Sequence, residues 1–169
     1  MKTKKIKILQ YRADKQDEHW LDDAIAGWTR LFNKNTPPYS HSEICFPGGL
    51  CFSASSRGGK KFVGTRFEDF EVVTRNKDRW DIYSKFFTEQ EISIMLQRAK
   101  KISGKKYFFI GIFLDFFMPF GWLSQLIGKT LNQWYCSQAV YYCLKGRRTR
   151  VSPRRLTKWL MEDGFVLEL

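Results

Sequence analysis

Hydrophobic and polar positions recur with different periods along the chain, and each period predicts an element. In "KIKILQY", residues 5–11, Ile6 and Ile8 are separated by lysines, the two-residue rhythm of a strand with one buried face. Trp20, Leu21, Ala24, Ile25 and Trp28 follow at helical spacing behind Asp17 as N-cap, so an amphipathic helix is expected over about residues 18–31. "NKNTPP" breaks the chain, after which "YSHSEICF" and "LCFSAS" flank Pro47, Gly48 and Gly49 as the two arms of a β-hairpin. The basic glycine pair of "RGGKK" comes next. "KFVGTRFEDFEVVTR" then has the β-branched and aromatic content of one or two further strands, and "RWDIYSKFF" leads out of them.

The second half is read from its helix ends. Thr88 and Glu91 form a capping box ahead of Ile92, Met95, Leu96 and Ala99, and Lys100, Lys101 and Gly104 close that helix in the order its dipole favours. Residues from Gln138 to Lys145 predict a helix with Gly146 just past its end. Ser152 and Pro153 open a last helix carrying Leu156, Trp159 and Leu160, Gly164 ends it, and "FVLEL" supplies a final strand. No internal repeat or low-complexity tract interrupts the series.

Composition adds bounds to this pattern. A chain of 169 residues with 43% hydrophobic content fits a single domain over 1–169 with a core of its own. Mean hydropathy of -0.41 points to a protein in water rather than one that spans a bilayer. The apolar stretch 107–128, "YFFIGIFLDFFMPFGWLSQLIG", is interrupted by Gly111, Asp115, Pro119 and Gly121, so it falls short of the roughly 20 unbroken apolar residues a spanning helix needs. It reads as aromatic core with a bulky loop, or as a surface that touches lipid or an acyl chain. The net charge of +12 allows an anionic partner through a basic surface, and "KTKKIK", "RGGKK" and "KGRRTRVSPRR" would be its contacts in a nucleic-acid-binding module.

Four cysteines, Cys45, Cys51, Cys136 and Cys143, occur in a chain whose basic start lacks the apolar run of a signal peptide. A reducing, cytoplasmic setting is the expectation that follows. His41, Cys45 and Cys51 lie near one another in sequence, but the spacing has no Cys-x-x-Cys pair, and neither a metal nor a cofactor is expected.

Candidate chemistry centres on Cys136. It falls in or just before the first turn of the helix that ends at Gly146, where unpaired N–H groups and the positive end of the dipole favour a thiolate. Cys143, one heptad on, lacks that position and reads as a packed apolar residue. A base must come from His19 or His41, the two histidines of the chain. His19 sits among Asp17 and Glu18 in a charged first turn and reads as solvated. In the strand "YSHSEICF", His41, Glu43 and Cys45 share one face, and Ile44 and Phe46 share the other, which is the better core face. With Pro47 to Gly49 as a three-residue loop, His41 lies opposite Ser55 and Glu43 opposite Ser53. Glu43, Ser53 and Ser55 are therefore the candidates to orient the imidazole, and of these the glutamate would also favour its charged form.

These stretches resemble a known family. "YSHSEICFPGGLCFSAS" and "WYCSQAVYYCL", with "WLDDAIAGWT", "GKKYFFIGI" and "VSPRRL" around them, are similar to the circularly permuted NlpC-like cysteine hydrolases, the YaeF/YiiX-like group of papain-like fold, in which histidine precedes cysteine. The resemblance implies an α+β fold, an antiparallel sheet or small barrel packed against the cysteine-bearing helix, with Cys136 as nucleophile and His41 as base. Glu43 substitutes for the usual third polar residue, since Ser53 stands about a dozen residues after the histidine; Gln138 and Phe108 depart from acidic residues of many relatives. The expected activity is thiol-dependent cleavage of an amide bond in a peptide-like substrate, as in a cysteine peptidase or amidase of a bacterium or bacteriophage. An acyltransferase or lipid-ester hydrolase acting on an acyl-bearing substrate is the variant of the same fold.

Overall fold

The structure is a computed structural model that describes residues 2–13, 39–55, 63–108 and 132–168. The helix expected over 18–31, with His19 in it, the "RGGKK" pair and most of the 107–128 stretch lie outside those residues. The strands are β1 (Thr3–Arg12), β2 (Tyr39–Cys45), β3 (Leu50–Ser55), β4 (Gly64–Asp69), β5 (Trp80–Thr88) and β6 (Val166–Glu168). They form one six-stranded sheet in the order β4-β3-β2-β1-β5-β6, antiparallel at every pairing. The helices are α1 (Phe70–Val73), α2 (Glu89–Ile102), α3 (Cys136–Lys145) and α4 (Pro153–Glu162), so the protein is α+β.

The two-residue period assigns the two faces of this sheet. Ile6 and Ile8 of β1, Ile44 of β2 and Phe52 and Ala54 of β3 are fully buried in one cluster with Ala99 of α2, Val140 and Cys143 of α3, and Leu156 and Leu160 of α4. Each such side chain, at about 1.5–3 kcal/mol for complete burial, explains why the helices gather on that side. The opposite face holds a smaller cluster of Leu9, Cys45 and Cys51, covered by Phe70 and Val73. Here the structure corrects the reading of 61–75 as strand alone: Phe70–Val73 is a single helical turn, whose Phe70 N–H donates to the Gly49 carbonyl at 2.8 Å. Phe70 and Val73, three apart, point together at the cysteines beneath, which a strand would not allow.

Helix ends follow the local rules. The Thr88 hydroxyl accepts from the Glu91 N–H while the Glu91 carboxylate accepts from the Thr88 N–H, a complete capping box for α2. Ser152 accepts from the Arg155 N–H with Pro153 in the first turn of α4. Gly146 closes α3 at φ 72°, a left-handed conformation, and the Arg98 guanidinium of α2 lies where a Cβ would stand, donating to the carbonyls of Cys143 at 3.0 Å and Leu144 at 3.1 Å. Among the described residues no helix is long and apolar enough to cross a membrane.

Candidate active site

The β2–β3 hairpin has the register expected for a three-residue turn: Ile44 pairs with Phe52, Cys45 with Cys51, and the Phe46 N–H donates to the Leu50 carbonyl at 2.9 Å. Beyond Ile44 the backbone ladder stops, and the Ser53 hydroxyl instead donates to the Ser42 carbonyl at 2.5 Å. Ser53 is thereby committed to the backbone and does not reach the imidazole. On the other side, β1 pairs Tyr11 with His41 but Arg12 with Tyr39, so Ser40 is an extra residue in a β-bulge immediately before the histidine. A bulge re-aims the side chains around it. Tyr39 turns to meet Asp81 at 2.5 Å and Tyr83 at 3.2 Å, while His41 turns to the face of Trp80, 6.2 Å between ring centroids. Burial and these two partners hold the Tyr39 hydroxyl well above its ordinary range, so it stays a neutral donor to Asp81.

Cys136 is the first residue of α3, and the approach to it is fixed from both directions. Trp134 exchanges backbone bonds with the segment after α2, its N–H donating to the Lys106 carbonyl at 3.0 Å and its carbonyl accepting from Phe108 at 2.9 Å. From the segment after α3, Val151 accepts the Ser137 hydroxyl at 2.6 Å and donates its N–H to the Tyr135 hydroxyl at 3.2 Å. Phe108, where the family resemblance had suggested an acid, is simply buried beside this strap. Tyr135, the N-cap, makes no side-chain cap bond, so the first N–H groups of α3 are not occupied by a capping side chain.

The polar face of the sheet approaches the start of α3 at His41 and Cys136. His41 and Cys136 lie near enough to act on each other's charge, and His41 Nε2 is 3.0 Å from Glu43 Oε1, with all three side chains buried. Burial opposes charge on this imidazole, but its interactions with Cys136, followed by those with Glu43, outweigh it and push the group up to about 9. The Cys136 side chain is itself buried. Cys143 is sealed in the core, and burial pushes its thiol well above the ordinary range.

Sequence reasoning brought His41, Glu43 and Cys136 to one point; Ser55 lies near them, lining a cavity of about 300 Å³ with His41 and Glu43. The other walls of that cavity were missed: Trp80, Tyr11, and Arg66 with Arg75. They could have been found by carrying the His41 face across the neighbouring strands, because Tyr11 is the register partner of both His41 and Trp80. Cys45 and Cys51 form a disulfide, so neither offers a thiolate to zinc. Among the described residues no group of three or more His, Cys, Asp or Glu side chains is arranged to hold a metal ion.

No family model matches the chain, and no curated protein or solved structure is significantly similar to it, so its chemistry has to be argued from the dyad itself.

Proposed function

We propose that the protein is a thiol hydrolase of papain-like fold, in the permuted NlpC-like order with histidine before cysteine, that cleaves an amide bond in a peptide or peptide-like substrate. One observation carries the reading: a buried imidazole that is hydrogen-bonded to a carboxylate and raised by its interaction with a cysteine at a helix N-terminus. That is the nucleophile, base and orienter relation of thiol catalysis.

In the proposed cycle the Cys136 thiol gives its proton to His41, and the sulfur attacks the carbonyl carbon. The C–S bond forms as the carbonyl π electrons move to oxygen, and the first N–H groups of α3 are the donors for that oxyanion. Collapse breaks the C–N bond, and the His41 imidazolium gives its proton to the departing amine. Water then loses a proton to His41 as its oxygen bonds to the thioester carbon, the C–S bond breaks to release the acid as second product, and His41 returns the proton to the Cys136 sulfur. Glu43 keeps the ring aligned through both proton transfers and stabilises the imidazolium.

Labelling with iodoacetamide at near-neutral pH, with the modified cysteine mapped, tests the pair. Fast labelling at Cys136 that is lost in His41→Ala is the expected result. Equal, slow labelling of Cys136 and Cys143, unchanged in His41→Ala, would remove the reading.

A further inference from the structure

Resting on the hydrolase reading, we propose that the cavity beside His41 and Glu43 is a specificity pocket for a carboxylate carried on a short aliphatic stem of the substrate. The cavity holds about 300 Å³, enough for one amino-acid-sized group. Its charged lining is uneven. Glu43 is paired with His41 at 3.0 Å and Glu68 with Arg66 Nε at 3.5 Å, so both carboxylates already have cations. Arg66 Nη1, by contrast, is shielded from solvent and has no hydrogen-bond partner among the described residues. A guanidinium N–H shielded in that way is costly unless a ligand completes it. Arg75, an exposed residue on the rim, adds a second cation to the same cavity.

The geometry selects among anions. Arg66 Nε is ion-paired with Glu68 at 3.5 Å, and Nη1, which holds no partner among the described residues, becomes the donor of a charge-assisted bond to a ligand when the side chain turns it into the cavity. Val72, Val73 and Trp80 form the apolar part of the lining, suited to methylene groups rather than to a compact inorganic ion. His41 belongs both to this lining and to the thiol pair, so the cavity and the nucleophile are linked through that one side chain, with Cys136 itself outside the lining. A carboxylate on an acidic side chain and the free α-carboxylate at a peptide's end share this chemistry.

Three alkylating probes separate them: neutral N-chloroacetyl-glutamine amide, N-chloroacetyl-glutamate α-amide with a side-chain carboxylate, and N-chloroacetyl-glutamine with a free α-carboxylate. In each, the Cys136 sulfur displaces chloride to form a thioether. Rates are divided by that for iodoacetamide in the same variant. One of the two acidic probes is expected to react about ten-fold faster than the neutral one, the worth of one charge-assisted hydrogen bond, and the faster of the two identifies the source. The double variant Arg66→Gln, Arg75→Gln brings the ratio to about one, whereas Arg75→Lys alone, which retains the charge, keeps most of it. Lys158→Gln, on exposed α4, leaves it intact. Equal rates for all three probes, or a preference that survives loss of both arginines, overturns the pocket while leaving the hydrolase standing. A Cys136 that ignores iodoacetamide as well overturns both.

Discussion

The two faces of the sheet are built from the same strands and do opposite work. Toward the helices, Ile6, Ile8, Ile44 and Phe52 are continuous with the apolar sides of α2, α3 and α4. One residue along each strand, the other face carries His41, Glu43 and Arg66 around a cavity, with Leu9, Cys45, Cys51, Trp80, Ile82 and a single helical turn as its smaller apolar cluster among the described residues. Burial supplies stability on the first face and shapes the chemistry of polar groups on the second. The division teaches where substitutions should separate folding from function, and Cys136 is the exception that joins them, a residue of the helix layer that raises the histidine of the far face.

The sharpest break in that comparison is between His41→Ala and Ile8→Ala. Loss of the base should lower amide hydrolysis by about a thousand-fold or more, a loss far larger than the part of it that unfolding explains once Glu43 is left buried without its partner. Ile8, fully buried, leaves a cavity when truncated, and about 3 kcal/mol of stability should go with it while Cys136 still labels. Activity assays and urea melts on the two variants check both directions. If Ile8→Ala abolished labelling in protein that remains folded, the two faces would not be separable.

Next in size is the disulfide. Cys45 and Cys51 are six residues apart, so their bridge closes a short loop, and replacing both with alanine should cost about 2 kcal/mol. Phe46 to Leu50 and Ile44 to Phe52 still pair without it, so the hairpin register and the Cys136 labelling rate should persist. Urea melts of the double variant beside the unreduced protein measure the difference.

How much of this was legible in the sequence depends on the range of the contact involved. The Thr88 and Glu91 box, the Ser152 cap and the Gly146 stop each act within a few residues, and each was readable from local chemistry. The His41 and Cys136 pair is far apart in sequence, spanning more than half of the chain, yet both halves carried their own signal, a polar strand face and a helix start. The bulge at Ser40 was hidden because it is a property of two strands in register, not of the residues at 39–41. The turn at Phe70–Val73 was hidden too, since its β-branched residues favour a strand until the cysteines beneath it are given.

Glu43→Gln refines the chemistry of the polar face. The imidazole is raised from 6.5 to about 9, first through Cys136 against the opposing effect of burial and then through Glu43. Its folded value exceeds its unfolded one, so its contribution to stability is complete below about pH 6.5 and is lost as the pH climbs through 9. Hydrolysis, which needs the imidazolium to protonate the leaving amine, should fall on the same alkaline side. Glutamine keeps a hydrogen bond but not the charge, so the alkaline limb of the pH profile should move down by about one unit. A limb that stays in place would mean that Glu43 aligns the ring without stabilising its charge.

The smallest expected effect lies at the far end of the helix that carries the nucleophile. Gly146→Ala would hold an alanine at φ 72°, where an L side chain is strained, and its Cβ would fall 2.7 Å from the Arg98 guanidinium. Arg98 can shift, because it is the end of a flexible side chain, but moving it weakens the bonds it donates to the Cys143 and Leu144 carbonyls. The two effects together should cost about 1 kcal/mol. The first turn of α3 is held separately, by Val151 on Ser137 and Tyr135 and by Lys106 on Trp134, so fraying at Gly146 should not reach Cys136. A lower melting temperature with an unchanged iodoacetamide rate is therefore expected; a slower rate would mean that α3 transmits disorder from one end to the other, and that the two faces share more than the single contact between His41 and Cys136.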